Sequence, residues 1–509
     1  MHYITGTDRT QAVLFPQSLD DIIDADNEVR IIDLFVDSID LSQFNFHLKA
    51  SAEGRPPYHP KDLLKLYVYG YLNSIRSSRA LEKECQRNIE LMWLLHQLVP
   101  DHNTISNFRR DNEKAIRKVF RHTVSIAKHF ELIGGRLIAG DSTKLRAQNS
   151  KKNNFNEGKI TQHLHYIEKR LKEYNSALEA ADEENKKVIQ EQIDKQKGRK
   201  DKYHKLSSQL LQSGETQVST SDPDSRQLIT RNNITEVAYN VQTTVDGKNC
   251  LTLDYKVTNQ NDSKAMSGML RRAKTILGHS DFTALYDKGY HTGSELKKGI
   301  DMGVELMVAI PGVASFAPDV RYNFERFVYA ADKDTYTCPE GSVLATNGKW
   351  YVKSNYGYTV KHYKTAACST CPVFSRCTNN KNGRLIERSE YQPYVEQNRE
   401  NIQRDPATYK KRQAIVEHTY GIIKRQWGFY FVSTKRGIKR ASSDVGLMFT
   451  AFNLRRLINI VDREVLRQFL RELALLSWPI TALLNSIAAS MRPRFVTTSF
   501  LHFQMKAAA

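Results

Sequence analysis

The sequence predicts an α/β protein with an all-helical segment ahead of it. Three features point there: an N-terminal stretch of helical periodicity, a middle of short apolar strands alternating with amphipathic helices, and two segments of different texture that interrupt this alternation. The predicted division is 1–130 helical, 131–159 with 215–312 as the first part of an α/β core, and 160–214 as a helical-hairpin insertion. A Cys-containing β insertion at 313–395 follows, then the last part of the core at 396–460 and a C-terminal helical tail at 461–509.

The helical segment is clearest at HPKDLLKLYVYGYL, where Pro60 suits a first helical position and Leu63, Leu66, Tyr67, Gly70 and Tyr71 share a face. In PDHNTISNFRRDNEKAIRKVFRH, a polar turn at Asp101 to Thr104 caps a helix carrying Arg109, Arg110, Arg117, Lys118 and Arg121. This reads as a helix-turn-helix whose last helix enters a DNA groove, with Arg109 and Arg110 among the contacts. The texture changes at Arg136, where GGRLIAGDSTKLRAQNS gives a short apolar strand ending in Asp141. A heptad pattern then runs through Ile160, Leu164, Ile167, Leu171, Tyr174, Leu178 and Ala181, resumes at Val188, breaks near Gly198 and returns with Tyr203, Leu206 and Leu210. It predicts an antiparallel helical hairpin turning near Lys197 to Lys200.

Strands are expected at EVAYNVQTTV and NCLTLDYKVTN, joined through Asp246-Gly247, and a helix at SKAMSGMLRRAKTIL. The strand DFTALYD ends in Asp287, a helix lies near GSELKKGI, and ELMVAIP is the last strand before the second insertion. ATYKKRQAIVEHTYGIIKRQ and SSDVGLMFTAFNLRRLINIV are the closing helices.

The chain has 509 residues, with 75 Lys and Arg against 56 Asp and Glu; the resulting +19 predicts a polyanionic partner, with double-stranded DNA first among candidates. The hydrophobic share of 40% and charged share of 26% exclude a wholly disordered chain and a polytopic membrane protein. The start, MHYITGTDRTQAVLFPQ, lacks a secretory pattern, so a reducing, cytoplasmic location is expected. The uncharged run Leu473 to Met491 contains Pro479 and Asn485 and reads as a buried helix pair rather than a membrane span.

With the insertions removed, the order is strand, hairpin strands, helix, strand, helix, strand, helix. Asp141 and Asp287 close two strands, and Glu417 lies on a late helix. That order matches an RNase H-like core, in which neighbouring strands bring two aspartates together and a packed helix adds a third carboxylate. Such a trio holds two Mg²⁺ (or Mn²⁺) ions about 4 Å apart for in-line phosphodiester displacement. Hard, small Mg²⁺ favours a few carboxylate oxygens. Asp222 and Asp224 in a Pro-containing turn, mid-strand Asp254, and Asp262 as a helix cap have local explanations.

The segments GDSTKLRAQNS, LYDKGYHTGSEL and IVEHTYGIIKRQWGF, with VAYNVQTTVDGKNCLTLDYKVTNQNDSKAM, resemble the DDE transposases of bacterial insertion sequences. The resemblance runs from about residue 15 to 460. It implies that Asp141, Asp287 and Glu417 bind the catalytic metals and that Tyr409, Arg412 and Lys424 contact DNA around the cleaved bond. Arg412 sits one residue further from the glutamate than the family spacing, so Lys411 or Gln413 could take the facing position. Lys424 lies two helical turns beyond Glu417, about 10 Å along the same face. The implied function is binding of terminal inverted repeats, strand cleavage and joining of 3′ ends to target DNA by a homodimer on DNA, in a bacterial, nucleoid-associated setting. The alternative is a catalytically inactive, transposase-derived DNA-binding protein.

In the second insertion, Cys338, Cys368, Cys371 and Cys377 could close a tetrahedral structural Zn²⁺ site, the pair two residues apart being a common half-site. Cys85 and Cys250 fall in apolar patterns and read as core. Trp350, Tyr351, Tyr356, Tyr358 and Tyr363 flank the cysteines and are expected to pack a small β subdomain.

Overall fold

The computed structural model describes residues 18–46, 56–230, 234–312, 317–354, 357–434 and 436–475. The chain divides into two compact units, one comprising Met1–Phe120 with Leu454–Ala509 and the other Arg121–Asn453. Tyr356 and most of the uncharged run beyond 475 lie outside the described residues, so the aromatic role and the helix pair expected there are not addressed. Among the described residues no helix is long and apolar enough to cross a membrane.

The first unit is helical. Its helices start on side-chain caps supplied by Ser18, Asn27, Asp40, Ser77, Asn88 and Asp101. Pro60 does open the helix Pro60–Leu72, but every residue from Leu63 to Leu72 is buried, so this is a central helix rather than an amphipathic one. Its lysine, Lys65, survives burial by pairing with Asp33 at 2.5 Å and Asp37 at 3.1 Å. The single long basic helix expected after Asp101 is two, His102–Asp111 and Glu113–His129. The break falls at Asn112, whose side-chain amide donates to the Phe108 carbonyl.

The second unit is built on a six-stranded sheet. Numbering strands in chain order, β1 is Leu137–Arg146, β2 Asn154–Phe155, β3 Val218–Ser219, β4 Arg226–Ile229, β5 Thr235–Asp246, β6 Thr252–Thr258, β7 Thr283–Tyr286 and β8 Glu305–Val308. The sheet order is β4-β5-β1-β7-β8, with β6 sharing the outer edge of β5. The pairs β1–β5, β4–β5 and β5–β6 are antiparallel, whereas β1–β7 and β7–β8 are parallel. The β5–β6 turn is held by Asp246, whose carboxylate accepts from the N–H groups of Gly134, Gly135 and Lys248.

Helix Gln392–Arg404 covers the free edge of β8: the buried Asn398 amide donates to the Val308 carbonyl and accepts the Val308 N–H, and Asn401 donates to Leu306. Helix Pro406–Tyr420 then crosses the sheet, burying Ile415 and Val416 against Ala139, Val245, Leu285 and Met307. It continues as a π-helical stretch, Gly421–Gln426. In the closing helix, Ile438–Ile460, Asn453 pairs with both the N–H and carbonyl of Thr252.

The hairpin consists of helices Glu157–Glu179 and Glu183–Ser213, with β2 and β3 paired antiparallel at its base. Its turn is at 180–182, not near Lys197 to Lys200. Asp182 caps the second helix by accepting the Asn185 N–H, whereas Gly198 stays helical in open space, where a missing side chain breaks the apolar pattern but not the backbone. Phe155, Ile160, Leu206 and Val218 seal the base.

Residues beyond β8 form a five-stranded antiparallel sheet, ordered β13-β12-β11-β10-β9 in Ile386–Ser389, Tyr358–Lys364, Val343–Lys353, Thr335–Thr337 and Val328–Ala330. Tyr363 joins Phe327, Tyr336, Leu344 and Ile386 in its core, as expected, but Trp350 and Tyr351 are exposed.

Candidate active site

Asp141 does not end its strand. β1 continues to Arg146, paired with β5 throughout, and what ends near Asp141 is the parallel pairing with β7, whose last β1 pair is Ala139 with Leu285. Asp141 and Asp287, each two residues beyond that pair, therefore stand at matching positions. By strand alternation they share the face that carries Ala139 and Leu285, the one covered by helix Pro406–Tyr420. Further along, β1 regains a neighbour: Arg146 donates its N–H to the Tyr430 carbonyl and accepts the Val432 N–H. The site is thus an interruption in one edge of β1.

The glutamate helix reaches this gap with several side chains. Arg412 approaches the Asp141 carboxylate at 3.4 Å. Gln413 instead donates to Glu417 at 2.9 Å along the helix. Tyr409 donates to the carbonyl of Tyr286, the residue before Asp287, at 3.3 Å. Tyr420 is half-buried, with its hydroxyl 2.5 Å from that of Thr243, the β5 partner of Asp141. Lys424 donates to the Lys144 carbonyl at 3.1 Å, and it lines a cavity with Glu417, Ser142, Lys144 and Arg425. The π-helical turn alters the regular α-helical advance between Glu417 and Lys424, yet both still reach that cavity.

Burial pushes the Asp141 carboxyl up to about 6; the Ser142 N–H and Arg412 oppose the rise, and the charges of Asp287 and Asp262 add to it. Asp287 turns the chain by accepting the Gly289 N–H at 2.8 Å. Among the described residues, no group of three or more His, Cys, Asp or Glu side chains is placed to hold a metal ion. The acids are instead occupied locally: Asp141 by Ser142 and Arg412, Asp287 by Gly289, Glu417 by Gln413.

Below the aspartates, on the opposite face of the sheet, lies a cluster that sequence reasoning missed. Asp262 accepts from Lys144 at 2.9 Å, Asn240 at 2.7 Å and Gln242 at 2.6 Å. It is not a helix cap; its 3₁₀ turn, Asp262–Lys264, has no side-chain cap bond. The available signal was Asn240 and Gln242, polar residues two apart in the otherwise apolar run VAYNVQTTV, both of them buried. The other acids set aside are explained locally. Asp222 accepts from Tyr239 and Gly437, Asp224 from Ile438, and Asp254 pairs with Arg272.

Arg109 corrects an expectation: it is buried, donating to the Tyr71 hydroxyl at 2.9 Å and the Arg76 carbonyl at 3.1 Å, and so holds the helical unit together instead of facing DNA. Arg110 is on the surface, paired with Asp111 at 2.6 Å.

The four insertion cysteines, all unpaired, line one cavity with Phe327, Leu344 and Arg384, although not as a ready ligand set. Cys338 accepts the Ser342 N–H at 3.3 Å, and burial raises the Cys377 thiol against the pull of Arg384. Cys85 is core, as expected, and its thiol is pushed up to about 12 by burial; Cys250 is only half-buried, in the β5–β6 turn.

Residues 17–111 match the family model of a transposase domain of the DUF772 type, and residues 337–458 that of a transposase DDE domain. Both matches are to transposases, and they indicate DNA transposition as the general function. Together they support a DDE-type transposase. No curated protein matches the chain. A solved structure of the piggyBac transposase synaptic complex with hairpin DNA aligns over 89% of this chain and 80% of that one, at 8% identity and a TM-score of 0.30.

Proposed function

We propose that the chain is an active DNA transposase: it binds the terminal inverted repeats of its element, cleaves DNA strands and joins the 3′ ends to target DNA. The observation that carries this reading is the matched placement of Asp141 on β1 and Asp287 just past the end of its parallel neighbour β7, under the helix bearing Glu417. The sheet order, with an antiparallel hairpin on one side of β1 and parallel strands on the other, supports an RNase H-like core into which the hairpin and the Cys-containing sheet are inserted.

The donor set fits hard divalent ions. Asp141, Asp287 and Glu417 offer only carboxylate oxygens, and the charges of Asp287 and Asp262, which add to the burial that raises Asp141, are what a cation would relieve. When bound, Mg²⁺ or Mn²⁺ supplies activation of the attacking oxygen and charge stabilisation at the leaving one. The chain's own residues do the rest. Arg412 orients Asp141 until an ion takes its place, Tyr409 steadies the backbone ahead of Asp287, and Lys424 presents an ammonium to a phosphate beside the scissile bond. Arg110 and the basic surface contribute sequence-independent affinity, in keeping with the net charge of +19. The working form is a homodimer on paired DNA ends, acting in the bacterial cytoplasm at the nucleoid.

Cys338, Cys368, Cys371 and Cys377 are a separate proposal, a structural Zn²⁺ site that stiffens the second sheet. Their convergence on one cavity supports it.

The test is divalent-dependent cleavage of a duplex carrying the element's ends by wild type and Asp287→Asn. Loss of cleavage with DNA binding retained supports the proposal. Binding without cleavage by the wild type would instead identify a DNA-binding derivative.

A further inference from the structure

The backbone ladder that joins β1 to β7 ends at Ala139 and Leu285, before either aspartate. Something other than main-chain pairing must therefore set the position of the Asp287 turn relative to Asp141. The cluster on the opposite face supplies it. Tyr290, the fully buried tyrosine that closes the Asp287 turn, donates its hydroxyl to the Gln242 carbonyl oxygen at 2.5 Å. Gln242 donates its amide to Asp262, and Asp262 also receives Asn240 from β5 and Lys144 from β1. Lys144 in turn donates to Ser142 at 2.9 Å, and the Ser142 N–H donates to the Asp141 carboxylate at 2.7 Å. Asp262 also lies directly under the turn: a side chain at Gly289 would contact both Asp287 and Asp262.

We propose that Asp262 is a positioning residue of this site, holding Asp141 and the Asp287 turn in register through Lys144 and through Gln242–Tyr290. Its carboxylate is taken up by Lys144, Asn240 and Gln242, which alternate to the face opposite Asp141, so it acts through its partners and not as a ligand. A carboxylate suits this junction because it accepts from an ammonium and two amides at once; an amide at the same place would present one of its own N–H groups to one of those donors. The inference rests on the reading of Asp141 and Asp287 as ion ligands.

The experiment measures Mn²⁺ binding to the full-length chain by calorimetry, alongside thermal melting, for wild type, Asp262→Asn, Tyr290→Phe and Asp287→Asn. Asp262→Asn is expected to weaken Mn²⁺ binding about tenfold, as loss of outer-layer support around a metal site commonly does. Tyr290→Phe removes a single hydroxyl and is expected to weaken it in the same direction while lowering the melting temperature only modestly and staying folded, so it decides the matter should Asp262→Asn fail to fold. Unchanged Mn²⁺ affinity in the folded variants overturns the proposal, leaving Asp262 a purely structural acid. Loss in Asp262→Asn as complete as in Asp287→Asn also overturns it, because Asp262 would then be a ligand. Asp287→Asn binding Mn²⁺ as well as wild type refutes the underlying site assignment itself, and the positioning role with it.

Discussion

Gly140 sits one residue before Asp141, and a methyl group placed there would meet the Tyr286 ring at 2.0 Å from Cε1 and 2.2 Å from Cζ. Ordinary contacts between carbons are about 3.5–4.0 Å, so Gly140→Ala overlaps the ring by well over an ångström. Tyr286 is fully buried and cannot swing into solvent. The strain must then be relieved by moving β1 or β7, the two strands that carry the site's aspartates. Overpacking of this kind costs about 1–3 kcal/mol. In a unit of about 330 residues that lowers the melting temperature by roughly 1.5 °C per kcal/mol, and the cost here belongs at the upper end. The assay is thermal melting of wild type, Gly140→Ala, Tyr286→Leu and the double variant. Trimming the ring removes the obstacle, so the double variant is expected to fall short of the summed single losses by about 1 kcal/mol or more. A Gly140→Ala protein melting within a degree of wild type would refute this account of the close approach.

Arg109→Met leaves the Tyr71 hydroxyl and the Arg76 carbonyl without their buried donor and should cost about 2–3 kcal/mol, read as a lower denaturant midpoint; Arg110→Ala should change stability by less than about 0.5 kcal/mol. Lys424→Ala should weaken DNA binding similarly for all sequences and reduce the slope of log affinity against log salt by about one, which a salt titration reads directly. With its carboxyl raised to about 6, Asp141 holds a proton below that pH which a divalent ion must displace, so Mn²⁺ affinity should fall roughly tenfold per pH unit there and level off above it. The sign for the fold is opposite. Ionising this acid costs desolvation, so in ion-free protein Asp141 lowers stability as pH rises from its ordinary range to about 6. Purified protein should carry one Zn²⁺ per chain by elemental analysis, and Cys371→Ser should lose it; a zinc-free wild type folded as stably with chelator as without would dismiss that site.

Strands β1, β5, β6, β7 and β8 were readable because each is an apolar run bounded by turn residues, whereas the short β2, β3 and β4 carry too little pattern to read, and the three acids stood out because nothing in the sequence around them accounted for them. The parts that were not readable share a cause. Asp141 looked terminal because the residues after it, Ser142 and Lys144, are polar; they are polar because they serve the buried Asp262 cluster, and the strand continues. The hairpin turn was misplaced because Gly198 interrupts the heptad pattern without interrupting the helix, whereas the real turn is marked only by the Asp182 cap. Arg109 was misread because neighbouring arginines on one helix can face opposite ways, one into a tyrosine-lined core and one to solvent. Asp262 was misread as a helix cap because its partners lie on two strands distant in sequence, β1 and β5, a relation that spacing along the chain does not carry.

The amides of Asn398 and Asn401 do at β8 what a further strand would otherwise do. They occupy main-chain groups through which a sheet could recruit a stranger's strand, and they do so from a helix that returns only after the whole cysteine-bearing segment has been threaded. Growth of the sheet is thereby halted by two side chains, and a change in the length of that segment would leave this margin of the six-stranded sheet closed to self-association.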